Sequence, residues 1–220
     1  MSRPGEPKGV CAVFDMDGTL IRSIEDIAHA VNTMRMSYGF PAVPVQEVIP
    51  MVGDGASMMV KRAMAGLDAD PQEALRRYRA AYDAALVVKT TLYPHVTETL
   101  EKLQSAGVRL AVFTNKPQHS SEVILQTLGC REFFECVIGA DSGYPLKPQP
   151  DALYAILSEL HCNPAVSRMI GDNWTDVEAG HAAGMQSCFC QYGYGKMRQD
   201  RADSEIRSFE ELETLFFTDK

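Results

Sequence analysis

The sequence predicts an α/β protein built on a mostly parallel sheet with helices on both faces, carrying a helical insertion after the first strand. Three observations lead there. Five short strand-like runs alternate with helical patterns, as in parallel α/β proteins. The gap between the first and second runs is far longer than one crossover requires. That gap contains helix starts throughout.

The first run, Val10 to Phe14, is continuously apolar and ends in Asp15-Met16-Asp17-Gly18-Thr19. The insertion follows, from Arg22 to Thr91. Ser23 is placed to cap a helix with Asp26 at its third position, a variant of the capping box, and Ile24, Ile27, Ala28, Val31 and Met34 share one face. Gly39 is expected to end that helix. Asp70-Pro71-Gln72-Glu73 combines a capping aspartate, a first-turn proline and a third-position glutamate, so a second helix starts there. Its stripe of Leu75, Tyr78, Tyr82 and Leu86 reads as the core of a small bundle rather than a binding groove. The remaining strands are expected at Val108 to Thr114, Phe134 to Gly139, Arg168 to Gly171 and Gln186 to Cys190. No internal repeat or low-complexity segment interrupts them.

The chain has 220 residues, 45% of them hydrophobic and 23% charged, which describes an ordinary soluble globular protein able to bury a sizeable core. Its formal charge of -8 argues against a general affinity for nucleic acid or an anionic membrane, so an anionic substrate must be attracted locally. No apolar stretch is long enough to span a bilayer, and Met1 to Lys8 is polar with two prolines. A cytoplasmic location is the expectation. The six cysteines form no Cys-x-x-Cys pair and read as reduced core thiols.

Three strand ends carry residues suited to phosphate chemistry. The first offers Asp15 and Asp17. The second offers Thr114, Asn115 and Lys116, and the fourth offers Gly171-Asp172-Asn173-Trp174-Thr175-Asp176. Lys147 lies between the third and fourth, in Leu146-Lys147-Pro148-Gln149-Pro150-Asp151, where prolines stiffen the backbone around one cation. Read individually, each has a plainer role. The aspartate pair suits a turn, Lys147 and Lys116 suit solvent, and Asp176 suits a helix cap. The five histidines show no ligand spacing and are left unassigned.

Together, Asp15-x-Asp17-Gly18-Thr19, Thr114, Lys147 and Gly171-Asp172-x-x-x-Asp176 resemble, in order, the four motifs of the haloacid dehalogenase superfamily. The resemblance covers essentially the whole chain. It implies a Rossmann-like parallel core (residues 1–21 and 92–220) with an α-helical cap domain (residues 22–91) hinged near Ile21-Arg22-Ser23 and Thr90-Thr91-Leu92. It also implies that Asp15 is the nucleophile, that Asp17 protonates the leaving alkoxide and later deprotonates water, and that Gly18 permits the turn while Thr19 helps fix the loop. Thr114, the Asn115 amide and Lys147 would hold the phosphoryl oxygens. A carboxylate attacking an anionic phosphate requires charge neutralisation, and hard oxygen ligands select Mg²⁺. The implied ligands are Asp15, the Asp17 carbonyl and Asp172, with Asp176 acting from further out. Lys116 is left between screening phosphate from outside and facing solvent.

Within the superfamily the similarity is greatest to phosphoglycolate phosphatases, which share a Val-Gly-x-Gly-Ala segment, here Val52-Gly53-Asp54-Gly55-Ala56, and Thr114-Asn115-Lys116-Pro117. Gly53, Asp54 and Gly55, at a helix start, can offer amides to an anion, or form a plain turn. Arg22 and His95 depart from the pattern, standing where an aspartate and a glycine are usual. The expected partner is therefore a small phosphorylated metabolite, with 2-phosphoglycolate the favoured substrate. Neither nucleic acid nor membrane is expected, and oligomeric state is left open. A sugar-phosphate mutase shares every core motif, and other phosphate esters or pyrophosphate remain alternatives. Dehalogenation has no use for Asp17. A catalytically silent binding module would be expected to lack one of Asp15, Asp17, Lys147 or Asp172.

Overall fold

The structure is a computed structural model and describes residues 9–217, so the polar stretch Met1 to Lys8 lies outside the described residues. The chain runs through β1 (Cys11–Phe14), β2 (Ile21–Arg22), α1 (Ile24–Met36), α2 (Val45–Val48), α3 (Ala56–Ala63), α4 (Pro71–Asp83) and β3 (Thr91–Leu92). It continues with α5 (Val96–Ser105), β4 (Arg109–Phe113), α6 (Gln118–Thr127), β5 (Cys136–Ile138), α7 (Asp151–Glu159) and β6 (Arg168–Gly171). The last elements are α8 (Trp174–Ala182), β7 (Gln186–Cys190), β8 (Ser204–Ile206) and α9 (Leu212–Phe217).

Six strands form one parallel sheet in the order β5-β4-β1-β6-β7-β8. Every residue of β1 is buried, as a central strand covered on both faces requires. Side-chain alternation divides it between two cores. Ala12 and Phe14 face the layer of Leu100, Leu103, Ile124 and Leu125, whereas Cys11 and Val13 face Leu153, Ile156 and Ala179. The chain leaves β1 for β4 and β5 on one side, then returns to β6 on the other. This reversal opens a crevice at the carboxyl ends of β1, β4 and β6.

All five expected strands are present, the third shortened to Cys136–Ile138. The edge strand β8 was not expected, because Ser204-Glu205-Ile206 has no apolar run to reveal it. An antiparallel pair of two-residue strands, Ile21↔Leu92 and Arg22↔Thr91, joins the two ends of the insertion. His95 adopts the left-handed conformation (φ 65°) just before α5, which accounts for the usual glycine there. All six cysteines are free thiols.

The insertion is helical, and α1 buries its expected face. Asp70 accepts a hydrogen bond from the Glu73 N–H (2.8 Å), which caps α4 as anticipated. Leu75, however, is only half-buried, and Leu86 lies beyond the end of α4. Helix α1 also starts differently. The Ser23 hydroxyl makes no capping bond, since it donates to Asp17. Asp26 forms no capping box. Its carboxylate accepts from the N–H groups of Val88, Lys89 and Thr90 and from the Thr90 hydroxyl, tying α1 to the returning chain. The helix ends at Met36, and Gly39 turns the chain three residues later with φ 79°.

Candidate active site

Residues just beyond β1, β4 and β6 converge in the crevice. The Asp15 N–H donates to the Ile170 carbonyl (2.9 Å), anchoring the β1 end to β6. Beyond it the Met16 carbonyl accepts from Thr19, Leu20 and Ile21, closing a tight turn with Gly18 at φ 89°. A Cβ on Gly18 would lie 2.1 Å from Asp172 Oδ2, so both backbone and space demand glycine. The Thr19 carbonyl accepts from the Tyr192 hydroxyl (3.0 Å). The Thr19 hydroxyl itself has no partner, so backbone rather than side chain ties this loop.

Lys147 is buried, its Nζ 2.7 Å from Asp15 Oδ1 and 2.6 Å from Asp176 Oδ1. Desolvation would lower its pKa, but the charges of Asp15 and Asp176 outweigh it and hold the ammonium above its ordinary value. The other Asp176 oxygen accepts from the Asn173 N–H (2.9 Å) at the start of α8, so this residue both caps a helix and joins the cluster. Asp172 Oδ2 accepts from the N–H groups of Tyr194 (2.6 Å) and Gly195 (2.9 Å).

One oxygen from each of Asp15, Asp172 and Asp176 lies within 4.8 Å of the other two. Burial, then the charges of Asp15 and Asp176, push the Asp172 carboxyl well above its ordinary pKa. Burial likewise raises Asp176 to about 6, against the opposing pull of Lys147. Three buried carboxylates facing one lysine are short of positive charge, and all their donors are hard oxygens. A divalent cation of the Mg²⁺ type fits such a donor set.

Asp17 points into a separate network. Its Oδ2 lies 2.9 Å from Lys116 Nζ, and its Oδ1 accepts from the Ser23 hydroxyl. Lys116 also donates to the Tyr82 hydroxyl (2.8 Å). Lys116 is therefore not a solvent lysine. It is buried, and although desolvation lowers its pKa, the charge of Asp17 together with Tyr82 and Tyr78 outweighs that and raises it. Tyr82 consequently serves the site as well as the core. No spacing rule could have shown that Tyr82, Lys116 and Ser23 meet at Asp17. The amides of Tyr194 and Gly195 were missed as well, although glycines at 193 and 195 just past β7 hinted at a close backbone approach.

Thr114 lies at the end of β4, its N–H donating to the Ile138 carbonyl (3.0 Å). The Asn115 side chain is fully engaged: Oδ1 accepts from the Lys147 N–H (2.9 Å), while Nδ2 donates to the carbonyls of Lys147 (3.3 Å) and Gly53 (3.1 Å). Only its backbone amide is available for an anion. Gly53 packs so closely that a Cβ would meet Asn173 Nδ2 at 2.0 Å, which explains glycine at φ 115°. Asp54 does not join Gly53 and Gly55 along the cavity, because Arg62 holds it in an ion pair. The cavity, about 270 Å³, has Asp15, Asp17 and Thr114 on one side and Met59, Tyr78 and Tyr82 from the insertion on the other.

Residues 12–190 match the haloacid dehalogenase-like hydrolase family. The chain belongs to that family. Among similar proteins, a phosphoglycolate phosphatase from Psychrobacter arcticus is 35% identical over 212 residues, covering 92% of each chain. One from Pseudomonas putida is 36% identical over 210 residues, covering 92% of this chain and 77% of that protein. A crystal structure described as a predicted phosphoglycolate phosphatase from Haemophilus somnus superimposes with a TM-score of 0.87 at 29% identity, covering 93% of this chain and 96% of that one. CbbY from Rhodobacter sphaeroides, crystallised in complex with phosphate, shares the fold (TM-score 0.76, 23% identity, 93% and 96% coverage). For a haloacid dehalogenase-like hydrolase, the reversal point of the sheet is thus where the four sequence motifs meet.

Proposed function

We propose that this phosphatase hydrolyses 2-phosphoglycolate to glycolate with Mg²⁺, by way of a phosphoryl group carried on Asp15. The observation that carries the mechanism is the contact of Lys147 with both Asp15 (2.7 Å) and Asp176 (2.6 Å) beside Asp172, with Asp15 also lining a small cavity. The names of the relatives supply the substrate.

In the first step the Asp15 carboxylate attacks phosphorus and the bond to the leaving alkoxide breaks, with Asp17 giving that oxygen a proton. In the second, Asp17 takes a proton from water, which attacks phosphorus and breaks the bond to Asp15. Lys147, the Thr114 hydroxyl and the Asn115 backbone amide hold the phosphoryl oxygens through both displacements. Asp15, the Asp17 carbonyl and Asp172, with Asp176 supporting, would hold Mg²⁺, which would supply the positive charge that an anionic nucleophile needs to meet an anionic phosphate. Residues 22–91 act as a cap over a core of residues 1–21 and 92–220. The cap moves about β2 and β3 and excludes water on closing. Gly53 and Gly55 line its substrate side, whereas Asp54 serves the loop through Arg62.

The test is a comparison of kcat/KM across 2-phosphoglycolate, sugar phosphates, nucleotides and pyrophosphate, with and without a chelator. The expected result is a maximum for 2-phosphoglycolate, abolished by chelation and restored by Mg²⁺. A higher value for another ester overturns the substrate, and full activity in excess chelator overturns the metal. Isomerisation of a sugar phosphate without phosphate release would make the protein a mutase.

A further inference from the structure

Lys116 connects two parts of the molecule distant in sequence. Its side chain is 4% exposed, and its Nζ reaches Asp17 Oδ2 at 2.9 Å and the Tyr82 hydroxyl at 2.8 Å. Tyr82 belongs to α4, in the insertion, while Lys116 follows β4 in the sheet. The ammonium also lies 4.5 Å from the centre of the Tyr82 ring, which is stacked on Tyr78 at 5.8 Å with 10° between planes. The tyrosine is thus held by its neighbour independently of its hydroxyl. The lysine, by contrast, has a flexible four-carbon stem and depends on its partners for a fixed position.

We propose that Tyr82 is a positioning residue for the Asp17 acid/base, its hydroxyl holding Lys116 so that Lys116 holds the Asp17 carboxyl toward the leaving oxygen. This rests on the two-step reading above, in which Asp17 transfers the proton. An aspartate side chain turns about two single bonds, and proton transfer requires it within hydrogen-bond reach of the reacting oxygen. Asp17 is fixed at both oxygens, by Ser23 at the start of α1 and by Lys116. Removing the Tyr82 hydroxyl releases one end of the second support and leaves the substrate phosphate contacts in place. The leaving group then determines the consequence. An alkoxide needs its proton as the bond breaks, whereas p-nitrophenolate leaves without one.

The experiment compares wild type and Tyr82→Phe by kcat/KM, which reports the steps up to the first phosphoryl transfer. Two esters are used: the alkyl phosphate that wild type turns over best, and p-nitrophenyl phosphate. Tyr82→Phe should lose roughly tenfold on the alkyl ester and less than about twofold on the aryl ester. Lys116→Met, which removes the middle link of this chain of contacts, should show the same selectivity whether or not Tyr82→Phe folds. Adding Tyr82→Phe to Lys116→Met should cost nothing further. Equal losses on both esters, an unchanged alkyl rate, or additive losses in the double variant would overturn the proposal. Wild-type turnover by Asp15→Asn would instead remove the two-step reading beneath it.

Discussion

Asp15 and Asp17 stand two residues apart at one strand end, yet each has its own lysine: Lys147 for Asp15 and Lys116 for Asp17. The residue types and their order were legible in the sequence, because each motif is a short local string. The second lysine was not. A loop lysine is ordinarily exposed, and nothing near position 116 announces that Asp17, nearly a hundred residues earlier, and Tyr82 will enclose it. At Asp54 the sequence offered a backbone amide, and what it did not show is the ion pair of the carboxylate with Arg62. At this scale Asp15→Asn removes the proposed nucleophile while nearly preserving shape. Turnover should fall by about a thousandfold or more, with the far-ultraviolet circular dichroism and melting temperature close to wild type. Appreciable residual phosphatase activity would refute attack by Asp15.

Among the elements, those with periodic apolar faces and local caps were the legible ones. Helix α4 carries its capping aspartate, proline and glutamate within four residues, and α1 shows its buried face in the spacing of Ile27, Val31 and Met34. What escaped was pairing between distant segments, including β8 and the pair β2 and β3. Asp26 belongs with these. Within α1 it resembles a capping-box residue, but its partners lie at Val88, Lys89 and Thr90. Asp26→Ala would leave these backbone donors unpaired and should destabilise the protein by about 2–3 kcal/mol in urea unfolding. Burial raises the Asp26 pKa, yet its hydrogen bonds to Thr90, Lys89 and Val88 outweigh this and hold it below the ordinary value. A depressed folded pKa adds stability above the unfolded value, lost as pH falls through the folded one. The stability gap between wild type and Asp26→Ala should therefore be full at neutral pH and narrow below about pH 4. A gap that widens on acidification would contradict this role.

At the scale of the whole molecule, the parallel sheet and its helical insertion were readable because strand and helix alternate and one crossover is far too long. The crevice follows from the order of strands, with β4 on one side of β1 and β6 on the other. Less legible is which insertion residues face that crevice: Tyr78, Tyr82 and Met59 line it through packing rather than through any motif, and in the proposed reading they would bear on substrate choice. The formal charge of -8 also frames the chemistry. At the site four carboxylates meet two lysines, so the floor cannot attract phosphate without added positive charge. The central claim is that Asp15 carries the phosphoryl group between the two displacements. It is tested most directly by trapping. Asp17→Asn mixed rapidly with p-nitrophenyl phosphate and Mg²⁺ should transfer the phosphoryl group, because nitrophenolate needs no acid, and then stall for want of a base. Quenching, borohydride reduction of the acyl-phosphate and peptide mass analysis should find homoserine at position 15. Release of nitrophenolate with position 15 unmodified, or reduction at another residue, would contradict the account.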